Sequence, residues 1–294
     1  MEIGFSTFLT DEGISPTEFG RAVEERGFAA LFLAEHTHIP VARETPYGSG
    51  ELPRAYFRSL DPFVALSAIA AVTERVRIGT AIALVAQRDP IILAKEAATL
   101  DVISGGRFEL GVGAGWNIEE IRNHGTRPGT RTRLLRERVL AIKELWTREQ
   151  AEFHGEFVDF DPMFQWPKPI QHPHPPVLIG GMGPTVLQRV VDYADGWMPF
   201  VSSVAAIDKL AHRIAELNDL AEQKGRGQMH VSVVVTTAVP ADDASKALDR
   251  LADLGAHRVI FNLDALPTDE THSVLDKYAA AANHLDSTES HTMG

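Results

Sequence analysis

Short apolar runs alternate with longer stretches of helical periodicity from one end of this chain to the other, eight times over. The runs are Ile3 to Phe8, Ala30 to Ala34, Val76 to Val85, Phe108 to Val112, Val177 to Ile179, Trp197 to Phe200, Val231 to Val239 and Val259 to Leu263. Such alternation is the signature of βα units around a parallel sheet. The helical stretches are Pro16 to Arg26, Pro62 to Thr73, Pro90 to Ile103, Arg131 to Thr147, Pro184 to Ala194, Ala205 to Lys224, Asp242 to Leu254 and Thr268 to His284. Several open on proline, whose missing N–H costs nothing in a first helical turn. Asp61, Asp89 and Gly183 then fall at predicted N-caps. After the fourth strand, Leu135, Val139, Ile142 and Trp146 lie on one stripe, as in a helix that covers a barrel. Eight such pairs in 294 residues favour an α/β fold of the (β/α)8 TIM-barrel type over an open doubly wound sheet. The expected organisation is one barrel domain over residues 1–284 and a flexible polar tail over 285–294.

Two insertions break the rhythm, residues 37–60 after strand 2 and residues 148–176 after the fourth helix. The second contains "EFHGEFVDF", whose alternation predicts a small hairpin, and then the proline-rich "WPKPIQHPHPP". Loops this long inside a compact domain usually serve as functional lids or stay disordered.

Composition narrows the chemistry. A formal net charge of −12 repels nucleic acid and anionic membrane, so neither is an expected partner. The chain has no cysteine, which excludes disulfides, thiolate nucleophiles and thiolate-held metals. The N-terminus "MEIGFSTFLT" lacks the basic and long apolar regions of a signal peptide, and no apolar stretch approaches the ~20 residues of a membrane span. A cytoplasmic protein is the expectation.

In a barrel, reacting groups sit at the C-terminal ends of the strands. Glu35 and His36 leave strand 2 together, and an acid beside an imidazole there can orient a ligand or transfer a proton near neutral pH. The alternative for the pair is a loop-stabilising contact. His38 completes an H-x-H spacing that suits a metal-dependent hydrolase, with Asp264 as a further ligand. The other strand ends supply no His, Lys or carboxylate to complete that set, and no metal site is expected. His172 and His174 read as solvated or packing residues of a proline-rich loop.

The stretch "ELGVGAGWN" carries Gly111, Gly113 and Gly115 at a strand end. It fails the dinucleotide pattern in both registers, because the third required glycine falls on Trp116 or on Ile118. Glycines there still mark a close approach to the backbone or a tight turn. In "IGGMGPT", Gly180, Gly181 and Gly183 free backbone amides before a helix opened by Pro184, which suits an anion as well as it suits a plain turn. Arg122, Arg127, Arg131, Arg133, Arg136 and Arg138 form a basic patch able to bind an acidic cofactor tail, although most read as a solvated face.

Taken together, "GFAALFLAEH", "VRIGTAIALVAQRDPIILAKEAATLDVISGGRFELGVGAGW", "EFHGEFVDFDP", "WPKPIQHPHPPVLIGG" and "YADGW" resemble the luciferase-like monooxygenase superfamily, in its branch that uses the deazaflavin coenzyme F420. The resemblance reaches to about residue 265. It implies an oxidoreductase that moves a hydride between F420 and a small organic substrate. It places Glu35 and His36 against cofactor and substrate, with His36 as proton donor or acceptor and Glu35 as its orienting partner. It implies a non-proline cis peptide at Ala81–Ile82, in a bulge with Ala83 behind the ring. Gly113, Ala114 and Gly115 would run along the ring edge, and Gly180, Gly181, Met182 and Gly183 would hold the phosphate. Trp116 stands where some relatives carry a catalytic glutamate, and suits a wall of the substrate pocket. Tyr47 and Phe57 from the 37–60 lid, and Phe200, are the other pocket candidates. Asp195 and Trp197 of "ADGW" read as structural. A homodimer is also implied. The alternatives are an FMN monooxygenase served by a separate reductase, a metal-dependent barrel hydrolase, and a cofactor carrier without catalysis.

Overall fold

The computed structural model describes residues 1–47, 50–237, 239 and 243–291, from residue 283 onward as backbone only. Eight strand positions close into a parallel barrel. In chain order they are β1 (Glu2–Thr7), β2 (Ala30–Leu33), β3 (Arg77–Thr80) with β4 (Ala83–Leu84), β5 (Phe108–Gly113), β8 (Val177–Gly180), β9 (Gly196–Met198) with β10 (Phe200–Val201), β11 (His230–Val235) and β12 (Arg258–Asn262). The pair β1–β12 closes the circle, with Glu2 beside Arg258 and Phe5 beside Phe261. Between β5 and β8 lies the antiparallel hairpin β6 (Ala151–His154) and β7 (Asp159–Met163), as the alternation predicts. Its turn is pinned from below, where Glu137 accepts from the backbone N–H groups of residues 156, 157 and 158.

The outer ring is formed by α1 (Pro16–Glu25), α3 (Pro62–Ala70), α4 (Pro90–Ser104), α6 (Arg131–Thr147), α7 (Val186–Tyr193), α8 (Val204–Gln223), α9 (Ala244–Asp253) and α10 (Thr268–His291), while the short helices α2 (Ala55–Arg58) and α5 (Ile118–Asn123) lie in the loops over the strand ends. Asp61 and Asp89 cap α3 and α4 as predicted, each accepting from two backbone N–H groups. No helix among the described residues is long and apolar enough to cross a membrane.

Side chains alternate along each strand, so one set meets the helices and the other fills the barrel. Ala30, Phe32, Leu178, Met198 and Ile260 form the inner cluster, while Leu31, Leu33 and Ile78 join the larger core outside. The N-terminal end of the barrel is plugged by a buried ion pair: Arg258 donates to Glu109 at 2.7 and 2.9 Å and to Glu2 at 2.7 Å. The arginine plane lies over Phe32, 5.4 Å from its ring centre.

One glycine of the "ELGVGAGWN" stretch is explained at this level. A Cβ on Gly111 would lie 1.9 Å from the carbonyl oxygen of Thr80, so the two strands could not stay paired. Gly111→Ala is expected to lower stability by about 1–3 kcal/mol, read as a shift in urea midpoint. An unchanged midpoint would show that β3 and β5 can separate at no cost.

Four expectations are corrected, and one helix is added. The third strand breaks after Thr80 and ends at Leu84, with a 3-10 turn over Val85–Gln87. Helix α7 starts at Val186 rather than Pro184, because the Val186 N–H bonds the Gly183 carbonyl in a turn, and Gly183 is therefore no N-cap. The seventh strand ends at Val235, and Asp242, the predicted start of its helix, lies outside the described residues. Helix α10 continues through the predicted tail to His291. Helix α5, six residues long, was not anticipated, its run being too short to show a period.

Candidate functional site

All eight strand positions send residues into one cavity of about 480 Å³ at the C-terminal end of the barrel, within the size range of small-molecule sites. His36 stands at the end of β2 in its wall. Its Nδ1 lies 2.7 Å from Glu120 Oε2, and both side chains are almost wholly buried. Glu120 is held in turn by the Thr37 N–H on Oε1 at 3.2 Å, and its own N–H donates to the capping Asn117 Oδ1. The Trp116 indole N–H donates to His36 Nε2 at 3.2 Å. An acceptor at Nε2 and a carboxylate at Nδ1 assign the proton of the neutral ring to Nδ1.

Glu35 does not orient His36. It turns under the bulge that follows β3, where its Oε2 accepts from the Leu84 N–H at 2.6 Å and its Oε1 from Arg88 Nε at 2.6 Å. Arg88 also reaches Asp61 at 2.6 Å and Glu96 at 3.0 Å, tying the bulge to α3 and α4. Burial works against the Arg88 charge, but Glu35 and then Asp61 outweigh it and hold its pKa above the ordinary value. Neighbours in sequence, Glu35 and His36 point apart because consecutive residues leaving a strand face opposite ways.

The Ala81–Ile82 peptide is cis, as the resemblance implies. Ala81, Ile82 and Leu84 line the cavity, whereas Ala83 pairs with Val112 and faces the core, so it cannot touch a ligand. The Ile82 side chain lies over Gly113 and Gly180; a Cβ on either would come within 1.8 or 2.8 Å of it. These glycines therefore make room first for Ile82, which floors the cavity. Gly115, at φ +79°, turns the chain so that Ala114 and Trp116 both face inward.

Of the "GGMG" residues, Gly180 and Gly181 line the cavity; Met182 packs on the core and Gly183 is exposed, because the turn before α7 carries them away. Arg131 and Thr132 of α6 and Arg189 of α7 line it instead. Arg131 lay within the basic patch seen in the sequence, but nothing local distinguished it from its solvated neighbours; Arg189 carried no signal. Among the described residues neither arginine forms an ion pair, so both charges are free for an anion.

The lid residues are reassigned too. Phe57 is 57% exposed and outside the cavity, while its neighbour Tyr56 lines it, since α2 turns one of the two inward. Tyr47 stands behind, its ring 5.1 Å from Tyr56 and 5.7 Å from Trp116, and accepts from the Tyr56 hydroxyl at 3.3 Å. Burial, then the contact with Tyr47, pushes the Tyr56 phenol above its ordinary pKa, so it stays neutral. Phe200 lines the mouth as expected.

A flat, anionic, aromatic cofactor fits these residues: an apolar floor, aromatic walls and two free arginines at the rim. An uncharacterized protein of Mycobacterium tuberculosis is 40% identical over 285 residues, covering 95% of this chain and 98% of its own. The monooxygenase RslO1 from Streptomyces bottropensis superposes with a TM-score of 0.79 at 20% identity, covering 96% of this chain and 98% of the other. The coenzyme F420 dependent tetrahydromethanopterin reductase from Methanopyrus kandleri does so at 0.69 and 16%, covering 95% and 98%. The oxygenating constituent of 3,6-diketocamphane monooxygenase from Pseudomonas putida, in complex with FMN, does so at 0.63 and 18%, covering 80% and 67%. At these identities the structural likeness is one of fold. The luciferase-like monooxygenase family model matches residues 15–292, and with it the eight-stranded barrel and its strand-end cavity establish that this chain belongs to that family.

Proposed function

We propose that the protein is an oxidoreductase that seats the ring of coenzyme F420, with FMN as the alternative occupant, in the strand-end cavity and reduces or oxidises a small organic substrate brought against it. When bound, the ring supplies the hydride chemistry. The observation that carries the reading is the buried His36–Glu120 pair, 2.7 Å apart, opening into a cavity that also holds two unpaired arginines.

Arg131 and Arg189 bind the anionic side chain of the cofactor, and two cations from different helices suit a tail with several negative charges. Ile82 and the strand-end glycines support the flat ring from below. Glu120 fixes the Nδ1–H tautomer, so Nε2 is the atom that takes up or returns a proton on the substrate. A substrate oxygen reaches Nε2 by taking the place of the Trp116 indole N–H.

Titration with F420 and with FMN, followed by tryptophan fluorescence, tests the reading. F420 is expected to bind more tightly, and tighter FMN binding overturns that choice. Of the four tryptophans, Trp116 lines the cavity. Trp116→Phe is therefore expected to remove most of the quenching while leaving Kd within about threefold; undiminished quenching would place the ring elsewhere.

A homodimer belongs to the same proposal. Helices α3 and α4 carry the exposed apolar side chains Val64, Ile92, Val102 and Ile103, although outer helices ordinarily turn such groups inward. Trp166 lies alongside, since Lys95 of α4 bonds its carbonyl. An exposed apolar patch of this kind marks a covered surface. Ile92→Glu is expected to convert a dimer to a monomer in sedimentation, and a monomeric wild-type protein would refute the proposal.

A further inference from the structure

Beside the cofactor cavity lies a second one of about 430 Å³, to which the proposed reaction gives no task. The two meet at Phe8, Tyr56 and Asn262, which line both. Phe8 and Tyr56 pack 4.5 Å apart and flank the His36 ring at 6.0 and 5.0 Å. The partition is thus two aromatic rings, with the His36 imidazole packed against both on the side of the first cavity, so a molecule in the second chamber meets His36 only by reaching past Phe8 and Tyr56.

The free polar groups of the two chambers differ in sign. In the second, Arg54 is already held by Glu12 at 2.7 and 2.6 Å, and Arg58 by Asp11 at 2.8 Å through Nε. Asp264 also lines this chamber and makes no hydrogen bond or ion pair among the described residues. At the junction the Asn262 Oδ1 is buried without a partner among the described residues. The terminal torsion of that amide is broad, so it can turn to offer either end to a ligand. Phe8, Tyr47 and Tyr56 supply apolar and π surface.

We infer that the second cavity is the substrate chamber, and that Asp264 with Asn262 selects uncharged or cationic substrates carrying a hydroxyl or amine on an apolar body. An unpaired carboxylate repels carboxylates and phosphates, which gives the site a rejecting element as well as an attracting one. The anionic cofactor is directed to the arginines of the first cavity and kept out of the second. This inference rests on the redox reading of the first cavity, and its test is separable from that reading.

Three probes with one body, cyclohexylamine, cyclohexanol and cyclohexanecarboxylate, are titrated into the full chain by calorimetry. The amine is expected to bind at least about tenfold more tightly than the carboxylate, with the alcohol between. Asp264→Lys, at an exposed position, is expected to reverse the order. Ala265→Trp, which fills the chamber, is expected to abolish binding of all three, while F420 quenching of Trp116 is unchanged in both variants. The inference is overturned if the wild-type protein binds the carboxylate as tightly as the amine. It is likewise overturned if Asp264→Lys leaves the order intact, or if folded Ala265→Trp still binds the probes. Loss of F420 binding with the probe order intact would instead remove the cofactor reading and leave the chamber.

Discussion

Replacing His36 by alanine is expected to lower turnover at least 100-fold while F420 still binds within about threefold. Proton transfer by a positioned side chain contributes ~10²–10⁴-fold, and His36 offers the one imidazole that lines the cavity among the described residues. Glu120→Gln separates holding from transfer. An amide in place of the carboxylate keeps the shape of the 2.7 Å contact but no longer stabilises a protonated ring. Its expected signature is a fall in kcat of about tenfold or more with KM little changed. A merely structural Glu120 would leave kcat of the folded variant where it was. Turnover of His36→Ala within about threefold of wild type would end the acid–base assignment and leave His36 as a wall.

Arg258→Met is expected to destabilise the fold by about 3–5 kcal/mol, because it strands a carboxylate at the N-terminal end of the barrel. Glu109 is 3% exposed, and Arg258 supplies two of its hydrogen bonds at 2.7 and 2.9 Å. Burial alone would raise the Glu109 pKa, but the Arg258 bonds and charge more than reverse it and hold it below its ordinary value. The double variant Arg258→Met with Glu109→Met is expected to recover most of the loss in urea unfolding, since removing both partners leaves no unpaired charge. No recovery would mean that shape, rather than charge, fills this end of the barrel.

The same cluster gives a pH dependence. Burial first, and then the Arg258 charge, pushes His230 down to about 4 from an ordinary 6.5. The unfolded chain therefore binds this proton before the folded one does. Its contribution is complete above about 6.5 and is lost as the pH falls toward 4. His257, stacked 4.8 Å away, and Glu2 and Glu109 nearby share the field. In Arg258→Met the acid-side loss from His230 should be shallower, because one of its two largest causes is gone.

Much of the architecture was legible because its determinants are local. The caps at Asp61 and Asp89 act within three residues, and the hairpin at 151–163 follows from alternation over nine residues. Strand ends named the region of the site, and His36, Trp116, Gly113 and Gly181 all face the cavity. Two of the misses share a cause. Phe57 against Tyr56, and Ala83 against Leu84, are choices between neighbours one residue apart, and a single residue of register reverses the side that faces a ligand.

The chain's own order of residues determined the barrel and the end of it at which the cavity opens, because repeat, period and turn chemistry act between near neighbours. Tertiary structure alone decided that His36 is served by Glu120, 84 positions away, and not by the adjacent Glu35. It alone turned Arg131 and Arg189 inward, set Ile82 over two glycines, and opened a second chamber with Asp264 in its lining. These are contacts between distant segments, settled by packing and burial, on which local pattern is silent.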